Sequence, residues 1–298
     1  MKTNMRILSL AAAVTVAGCS PKDAAKTADT TAAAPAAAAP MAAAAPAVAN
    51  VVNIVASDYK YDAPATIPAG LTTFHLTNTG KEPHQANLIR LDSGKTYADL
   101  VNGIKNMKPG APPPGWVVTA GGPNADAPGG TVDVTTNLAA GNYAIVCFIP
   151  DAKGVPHVMK GMGQGITVTP STTAAAPDPT SDVTVTMSSY KWDFSTPLTS
   201  GKHTLKIVTA PGQPHEFTVF QLMPGKTAAD VAKFFDGGMK GQPPAMPVGG
   251  VAGLSAGLTT YYDVDLKPGD YAIICFLPDG KDGKPHYLHG MTQTIKIT

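Results

Sequence analysis

Cysteine, histidine and methionine side chains recur twice along this chain, in the same order and at nearly the same spacing. Each set has a histidine after a proline, then a cysteine in the pattern G-x-Y-x-x-x-C, then a Pro-His pair and a Gly-Met pair. Thiolate, imidazole and thioether groups are soft or borderline ligands, the combination that suits copper. The candidate metal ligands are His84, Cys147, His157 and Met162 in the first set and His215, Cys275, His286 and Met291 in the second.

The residues around these two sets repeat as well. Corresponding positions lie 131 residues apart early in each copy, 128 apart at the two cysteines and 129 apart at the second histidine of each set. Offsets that stay constant within a segment and change only in loops indicate a duplicated domain. We therefore predict two domains, residues 51–170 and 182–298, joined by a linker at residues 171–181.

Short strands are expected to position the candidate ligands. Residues 51–60 and 183–191 alternate apolar and polar side chains, as half-buried strands do. Further strand patterns place each cysteine in the middle of a strand and begin other strands at His84 and His215. Seven or so strands in about 115 residues are typical of a Greek-key β-sandwich. We predict an all-β fold made of two such sandwiches in tandem.

One short helix is expected within each sandwich. Thr96 and Thr227 are each followed three residues later by an aspartate, which is the capping-box pattern at a helix start. Leu100, Ile104 and Met107 would share one face of the first helix. The Gly/Pro-rich stretches that follow, residues 109–130 and 237–257, predict loops.

Composition excludes one class of partner. The chain has 298 residues, of which 44% are hydrophobic and 14% charged, with a formal net charge of +1. A core of ordinary size can therefore be buried. Because there is no basic stripe to follow a phosphate backbone, we expect no nucleic acid partner.

Residues 1–18 have the layout of an export signal, with Lys2 and Arg6 ahead of a short apolar run. That run is too short to span a bilayer. It ends in Val-Ala-Gly-Cys, which resembles a bacterial lipobox, and the resemblance implies cleavage before Cys19 and lipidation of that residue. The alternative is an ordinary signal peptide with a chance cysteine.

A lipid anchor implies an exported protein held at the membrane on the periplasmic side of a bacterial cell. Ser20, directly after the cysteine, favours the outer membrane. Residues 19–50 contain the lipidated cysteine and an Ala/Pro-rich linker. Such a segment has too few large apolar side chains to fold, so it predicts a disordered spacer.

The pattern N-x-G-x-x-P-H at residues 78–84, together with G-x-Y-x-x-x-C and the later His and Met, resembles the cupredoxin family of plastocyanin-like and azurin-like blue copper proteins. The resemblance covers nearly all of both copies. It implies that the two sets of four residues each hold a type 1 copper ion. It also implies one-electron transfer between redox partner proteins, which we expect in the periplasm.

Two features depart from that family. Nine residues separate Cys147 from His157 and ten separate Cys275 from His286, whereas family members have short spacings. The inserted segment must bulge outward, at a closure cost that grows slowly with length. In addition, Asn78, whose counterpart in the family helps to fix the ligand loops, is replaced by a threonine in the second copy, Thr209.

Three alternatives stay open at this point. The chain could bind copper without redox turnover, as a carrier or buffer. It could also be a metal-free interaction module, in which the two cysteines are small buried apolar residues. Finally, Cys147 and Cys275 could form a disulfide with each other.

An enzymatic copper centre needs more histidines than remain. Only His75, His203 and His289 lie outside the two sets, and the sequence has no His-x-His pair. We therefore predict that the chain is not an enzyme, and no small-molecule substrate is evident.

Overall fold

Strands dominate this protein, for which a computed structural model describes residues 47–107 and 113–298. All of these residues fall within one of the two units into which the chain divides, residues 45–298. The predicted signal peptide, Cys19 and most of the Ala/Pro-rich linker lie outside the described residues. Among the helices of the described part, none is long and apolar enough to cross a membrane.

We call residues 51–170 and 182–298 the first half and the second half. The strands that lie in or at the edge of the first half are β1 Asn50–Ser57, β2 Lys60–Asp62, β3 Thr66–Pro68, β4 Gly70–Asn78, β5 Asn87–Leu91, β6 Val117–Thr119, β7 Thr131–Leu138, β8 Gly141–Val146 and β9 Gly163–Thr169. Those of the second half are β10 Val183–Ser188, β11 Lys191–Phe194, β12 Gly201–Thr209, β13 His215–Leu222, β14 Ala245–Leu254, β15 Thr259–Leu266, β16 Gly269–Ile274 and β17 Thr292–Ile297. The helices are α1 Tyr97–Asn106 and α2 Ala228–Asp236, with short 3-10 helices at His157–Lys160 and His286–His289.

The predicted all-β fold is confirmed. β1 alternates buried and exposed residues, and β10 alternates buried and partly buried residues, as the sequence pattern predicted. Both helices begin with a complete capping box, in which the threonine and the aspartate three residues later satisfy each other's backbone N–H groups. Leu100 is buried and Ile104 packs against it, but Met107 follows the end of α1 and is 46% exposed, so the predicted helical face is one residue too long.

Each half is a sandwich of two sheets. An eight-stranded sheet has the order β11-β10-β12-β15-β7-β4-β1-β2 and supplies one layer of both halves. The other layer is β3-β9-β8-β5-β6 in the first half and β14-β13-β16-β17 in the second. One hydrophobic cluster runs through both halves and includes the two candidate cysteines and methionines.

The sequence did not indicate how the halves are joined. They share sheets edge to edge, because β7 pairs antiparallel with β15, with Val134 opposite Tyr262. In the other layer, Pro123 lies opposite Val251. Both pairs join residues 128 positions apart, the offset of the two cysteines. In both layers, residues that correspond between the halves therefore face each other, as they do about a local two-fold axis.

Three sequence predictions need correction. The stretch at residues 237–257 contains the ten-residue strand β14, which two adjacent glycines, Gly249 and Gly250, did not prevent. Gly250 has φ of +117°, and a Cβ there would lie 1.9 Å from the Phe217 carbonyl oxygen, so only glycine allows this strand to approach β13. Cys147 and Cys275 directly follow the ends of β8 and β16 rather than lying within them, and the stretch at residues 109–130 contains β6. β5 begins three residues after His84.

Candidate metal centres

Three of the four predicted ligands of the first set meet at one end of the first sandwich. The Nδ1 atoms of His84 and His157 are 3.2 Å apart, and Cys147 Sγ is 3.4 Å from His157 Nδ1. One ligand atom from each of the three residues lies within 4.8 Å of the other two, and all three residues are fully buried. The structure thus brings together the two histidines and the cysteine that the sequence analysis grouped.

His84 is held in place by its backbone and by the turn before it. The His84 N–H donates to the Asp126 carbonyl at 3.2 Å, and the His84 carbonyl accepts from the Asp126 N–H at 2.9 Å. The Asn78 side chain donates to the carbonyl oxygens of Glu82 and Asp126, each at 2.9 Å, and accepts from the Gly80 N–H. Asn78 thus ties the histidine turn to its neighbouring segment, the role that the family resemblance implied for it.

The long Cys-to-His segment is closed off at its base. Pro150 and Pro156 form a β-bridge, and the His157 N–H donates to the Ile149 carbonyl at 2.9 Å. The Val158 N–H donates to the Cys147 carbonyl at 2.8 Å, which brings the histidine back beside the cysteine. The extra residues therefore project outward without separating the ligands, as predicted. Pro278 and Pro285 close the second loop in the same way.

Backbone hydrogen bonds link Met162, the fourth member of the first set, to His157 and Cys147. The Met162 N–H donates to the His157 carbonyl at 3.0 Å, and the Met162 carbonyl accepts from the Cys147 N–H at 3.2 Å. The side chain is fully buried in the same hydrophobic cluster as the cysteine. Met291 repeats both backbone bonds at the same distances in the second half, with His286 and Cys275 as partners.

Hydrogen bonds on the outer edges of the two histidines settle which ring nitrogens face inward without a proton. His157 Nε2 lies 2.8 Å from Glu82 Oε2, and His84 Nε2 lies 3.3 Å from Asp58 Oδ1. Because an ionised carboxylate only accepts, the network assigns the proton of each neutral ring to Nε2. Two bare Nδ1 lone pairs then lie beside a sulfur, an arrangement in which a cation bound between them would find three donor atoms.

The spacing also fits a metal. In a trigonal plane with metal–imidazole bonds of about 2 Å, two ligand nitrogens stand about 3.5 Å apart. A Cys and two His in such a plane, with a weakly bound methionine sulfur on the axis, is the donor set of blue copper sites. The donor set therefore agrees with copper, the cofactor that the sequence predicted.

The second set forms an almost identical cluster. His215 Nδ1 and His286 Nδ1 are 3.1 Å apart, and Cys275 Sγ is 3.3 Å from His286 Nδ1. Its outer edge differs, because no carboxylate within the described residues reaches His215 and His286 Nε2 has no hydrogen-bond partner there. Thr209, which replaces Asn78, keeps one tie by donating to the Leu254 carbonyl at 3.2 Å.

Burial sets the protonation of the candidate ligands. It lowers the pKa of His84, His157 and His286 below the ordinary value, and that of His215 to about 4. The imidazoles are therefore neutral near pH 7 and able to bind a metal. Burial raises the pKa of the Cys147 thiol to about 11 and that of Cys275 well above its usual range. A metal must displace the proton from each thiol.

Sequence reasoning missed several residues that support the centres. Asp58 and Glu82 contact the first pair of histidines, but a lone acid in a loop gives no pattern from which such a contact could be predicted. Glu216 was also missed; it lies directly after His215, is buried, and accepts from the Phe276 N–H, next to Cys275, at 2.6 Å. Only its position beside Pro-His could have drawn attention to it.

Two further predictions concern the histidines outside the two clusters and a disulfide between the cysteines. Cys147 and Cys275 are both free, so the disulfide alternative is not what the structure contains. His75 in β4 and His203 in β12 lie within hydrogen-bond distance of Asp133 and Asp182, and neither joins a metal cluster among the described residues.

No protein-family model matches the sequence, and a search of curated proteins found no match. Solved structures do match in fold. Reduced auracyanin from the photosynthetic bacterium Roseiflexus castenholzii is 23% identical, covering 42% of this chain and 100% of that chain, with a TM-score of 0.29. A multicopper oxidase is 13% identical, covering 83% of this chain and 88% of that chain, with a TM-score of 0.26.

A blue copper oxidase from Nitrosomonas europaea is 15% identical, covering 84% of this chain and 86% of that chain, with a TM-score of 0.24. The prediction that this chain is not an enzyme is contradicted by these matches, because two of the three structures are oxidases. That assignment is withdrawn. In fold, the chain is similar to auracyanin and to multicopper oxidases.

Proposed function

We propose that each half binds one copper ion through its Cys, two His and Met, and that the protein transfers single electrons between redox partner proteins. The observation that carries this proposal is the convergence of two imidazole Nδ1 atoms on a buried cysteine sulfur, found twice with nearly equal distances. Copper bound there would supply a Cu(II)/Cu(I) couple. The chain's own residues hold the donor atoms in place.

Rigid placement of the ligands supports electron transfer over a carrier role. His84, Cys147, His157 and their counterparts are between 0% and 2% exposed, and backbone bonds fix both ends of each ligand loop. A carrier must let its metal leave to a recipient, which such burial opposes. An electron-transfer centre instead benefits when little rearranges between the two oxidation states.

We further propose that the protein works on the periplasmic side of a bacterial membrane, anchored by lipid on Cys19. The support is the sequence of residues 1–19, with its basic start, short apolar run and small-small-Cys ending. The Ala/Pro-rich linker would give the folded halves reach toward partner proteins. Ser20 favours the outer membrane.

Copper loading with an optical spectrum tests the central proposal. The chain from residue 47 onward, loaded with Cu(II), is expected to show an intense visible absorption from cysteine-to-copper charge transfer. Cys147→Ser and Cys275→Ser should each remove one contribution, and the double variant should remove the absorption entirely. His75→Gln and His203→Gln, which change histidines outside both clusters, are the matched controls and should keep it.

Two results would contradict the proposal. Tight Cu(I) binding without the visible band would indicate a carrier, and no retained copper would indicate a metal-free module. Oxygen consumption by the copper-loaded chain, supplied with a one-electron donor, tests for oxidase activity separately. Mixing the loaded, reduced chain with an oxidised copper or haem protein and following both spectra measures electron transfer directly.

A further inference from the structure

Two of the differences between the halves lie close together, one within the Cys-to-His loop and one just after it. The second loop is one residue longer, and alignment of the backbone turns at Gly154 and Gly283 makes Asp282 the extra residue. Three residues after the second ligand histidine, the first half has Lys160 and the second half has His289. The second half has thus gained a carboxylate and exchanged an ammonium for an imidazole.

In the first half, Lys160 at this position forms an ion pair with Asp151. The Lys160 ammonium contacts Asp151 Oδ2 and donates to the Tyr59 hydroxyl at 2.9 Å. It also lies 4.1 Å from the centre of the Tyr59 ring. A fixed positive charge therefore balances the buried carboxylate of Asp151.

The second half keeps the carboxylate but lacks that ammonium. Asp279, which corresponds to Asp151, is buried and accepts from the Tyr190 hydroxyl, the Gln213 amide and the Lys281 N–H. These bonds orient it and leave one of its roughly four lone-pair directions free. His289 stacks on the Tyr190 ring at 5.1 Å, in the place of the lysine.

Three potential ligand atoms converge where the ammonium lies in the first half. One atom each from Asp279, Asp282 and His289 lies within 4.8 Å of the other two. His289 Nε2 and Asp282 Oδ1 are 3.2 Å apart, a separation that two ligands of one cation have when each bond is about 2 Å. The side chains of Asp282 and His289 are 38% and 28% exposed, so a cation can reach them from solvent.

An independent observation points to the same place. His286 is fully buried, and its Nε2 has no hydrogen-bond partner among the described residues. That nitrogen lies 3.9 Å from Asp279 Oδ2, beyond hydrogen-bond distance, so a buried polar atom without a partner lies next to this carboxylate. In the first half the corresponding Nε2 of His157 is satisfied by Glu82.

We propose that Asp279, Asp282 and His289 bind a divalent transition cation, for which Zn²⁺ is the probe, on the outer side of His286. Two carboxylates and an imidazole are a donor set for such a cation, whereas Mg²⁺ and Ca²⁺ prefer oxygen ligands alone. Tyr190 and Gln213 hold Asp279 in position from behind. The site shares no ligand with the Cys/His/His clusters, and within the part of the chain that the structure describes it occurs in the second half alone.

The test uses the chain with both Cys147→Ser and Cys275→Ser, so that neither thiolate cluster competes and the result does not depend on copper. Zn²⁺ is titrated by calorimetry, and the histidine ring signals are followed by NMR. We expect saturable binding that moves the ring signals of His289 and leaves those of His75 unchanged. Asp282→Asn and His289→Lys should each weaken binding by about tenfold or more, the second by restoring the lysine of the first half.

The matched control is His75→Gln, which breaks another histidine–aspartate pair and should leave Zn²⁺ binding unchanged. Melting temperatures of all variants, measured without metal, establish that they fold. The proposal is overturned if Zn²⁺ does not bind, if Asp282→Asn and His289→Lys bind it as tightly as the parent chain, or if Ca²⁺ competes equally. Loss of copper binding in the unsubstituted chain would overturn the proposed function and leave this site unaffected.

Discussion

Glu82 accepts a hydrogen bond from His157 at 2.8 Å, whereas Gln213, the corresponding residue of the second half, donates to Asp279 at 2.8 Å. One centre therefore has a carboxylate hydrogen-bonded to the outer edge of its histidine, whereas in the other the nearest carboxylate oxygen, of Asp279, lies 3.9 Å from His286 Nε2. A carboxylate in that position raises the basicity of a ligating imidazole and favours the more highly charged metal state. The two centres are expected to differ in reduction potential for this reason.

Exchanging these two residues tests that difference. Glu82→Gln should raise the reduction potential of the first centre by about 60 mV, the one-electron equivalent of a tenfold change, because a hydrogen bond to a charge is lost. Gln213→Glu should lower the potential of the second centre. Redox titration of the visible band, with the other cysteine replaced by serine, isolates each centre. Equal potentials before and after both exchanges would contradict the assignment.

Gly80 lies against the outer edge of His84 with no room for a side chain. A Cβ there would lie 2.5 Å from His84 Nε2 and 2.6 Å from Asp58 Oδ1. Gly80→Ala should displace the ring, weaken copper binding in the first half only, and lower the free energy of unfolding by about 1–3 kcal/mol. Gly115→Ala, where a Cβ meets nothing within 4 Å, is the control. Normal copper binding by Gly80→Ala would show that the ring does not need this support.

Copper binding should release protons. Because burial raises the pKa of the Cys147 thiol to about 11, the metal-free thiol is protonated at neutral pH, whereas the lowered histidine pKa values leave the imidazoles uncharged. About one proton per centre is therefore lost on binding, and the apparent affinity should rise about tenfold per pH unit from pH 7 to pH 9. Calorimetry in buffers of different ionisation enthalpy measures the count. Binding without proton release would mean that the thiol is not a ligand.

Glu216 should make the free energy of unfolding depend on pH, with lower stability at higher pH. Burial raises its pKa from 4.5 to about 7, so the unfolded chain gives up this proton at lower pH than the folded chain. The stabilising contribution of the protonated carboxyl is present below pH 4.5 and is lost as the pH rises to about 7, costing up to about 3 kcal/mol. Glu216→Gln cannot ionise and has the residue found at the corresponding position of the first half, Gln85.

We therefore expect Glu216→Gln to have a higher free energy of unfolding than the parent chain at pH 8 and nearly the same value at pH 4. The Gln oxygen can keep the bond from the Phe276 N–H, and only a weak 3.5 Å contact with Asn124 is lost. Urea unfolding of the metal-free chain at the two pH values measures both. A destabilised variant at pH 8 would show that the ionised carboxylate stabilises this interior.

The candidate ligands could be predicted from the sequence because their chemistry is carried by residue type and spacing. His84, Cys147 and His157 meet as expected, even across a loop longer than the family pattern. The β-bridge between Pro150 and Pro156 explains how the ligands meet across the long loop, since only the loop's ends have to lie close together. The helices were equally clear, because a capping box is a local pattern.

Other features depend on partners far away in sequence. β14 could not be recognised because its glycines are disfavoured in strands, and it forms only by pairing with β13 and with residues 120–126 of the other half. The contacts of Asp58 and Glu82 with the histidines arise from turns with no periodic pattern. The shared eight-stranded sheet likewise follows from which strand edges meet, and no local pattern encodes that.

The pairing of strand edges between the halves should hold them together when the chain is cut between them. Val134 and Tyr262 face each other in one layer and Pro123 and Val251 in the other, so each half lends the same two strand edges to its neighbour. Free edges of this kind attract other chains. A protease that nicks the segment between residues 171 and 181 should accordingly leave two fragments that stay bound as a pseudo-homodimer.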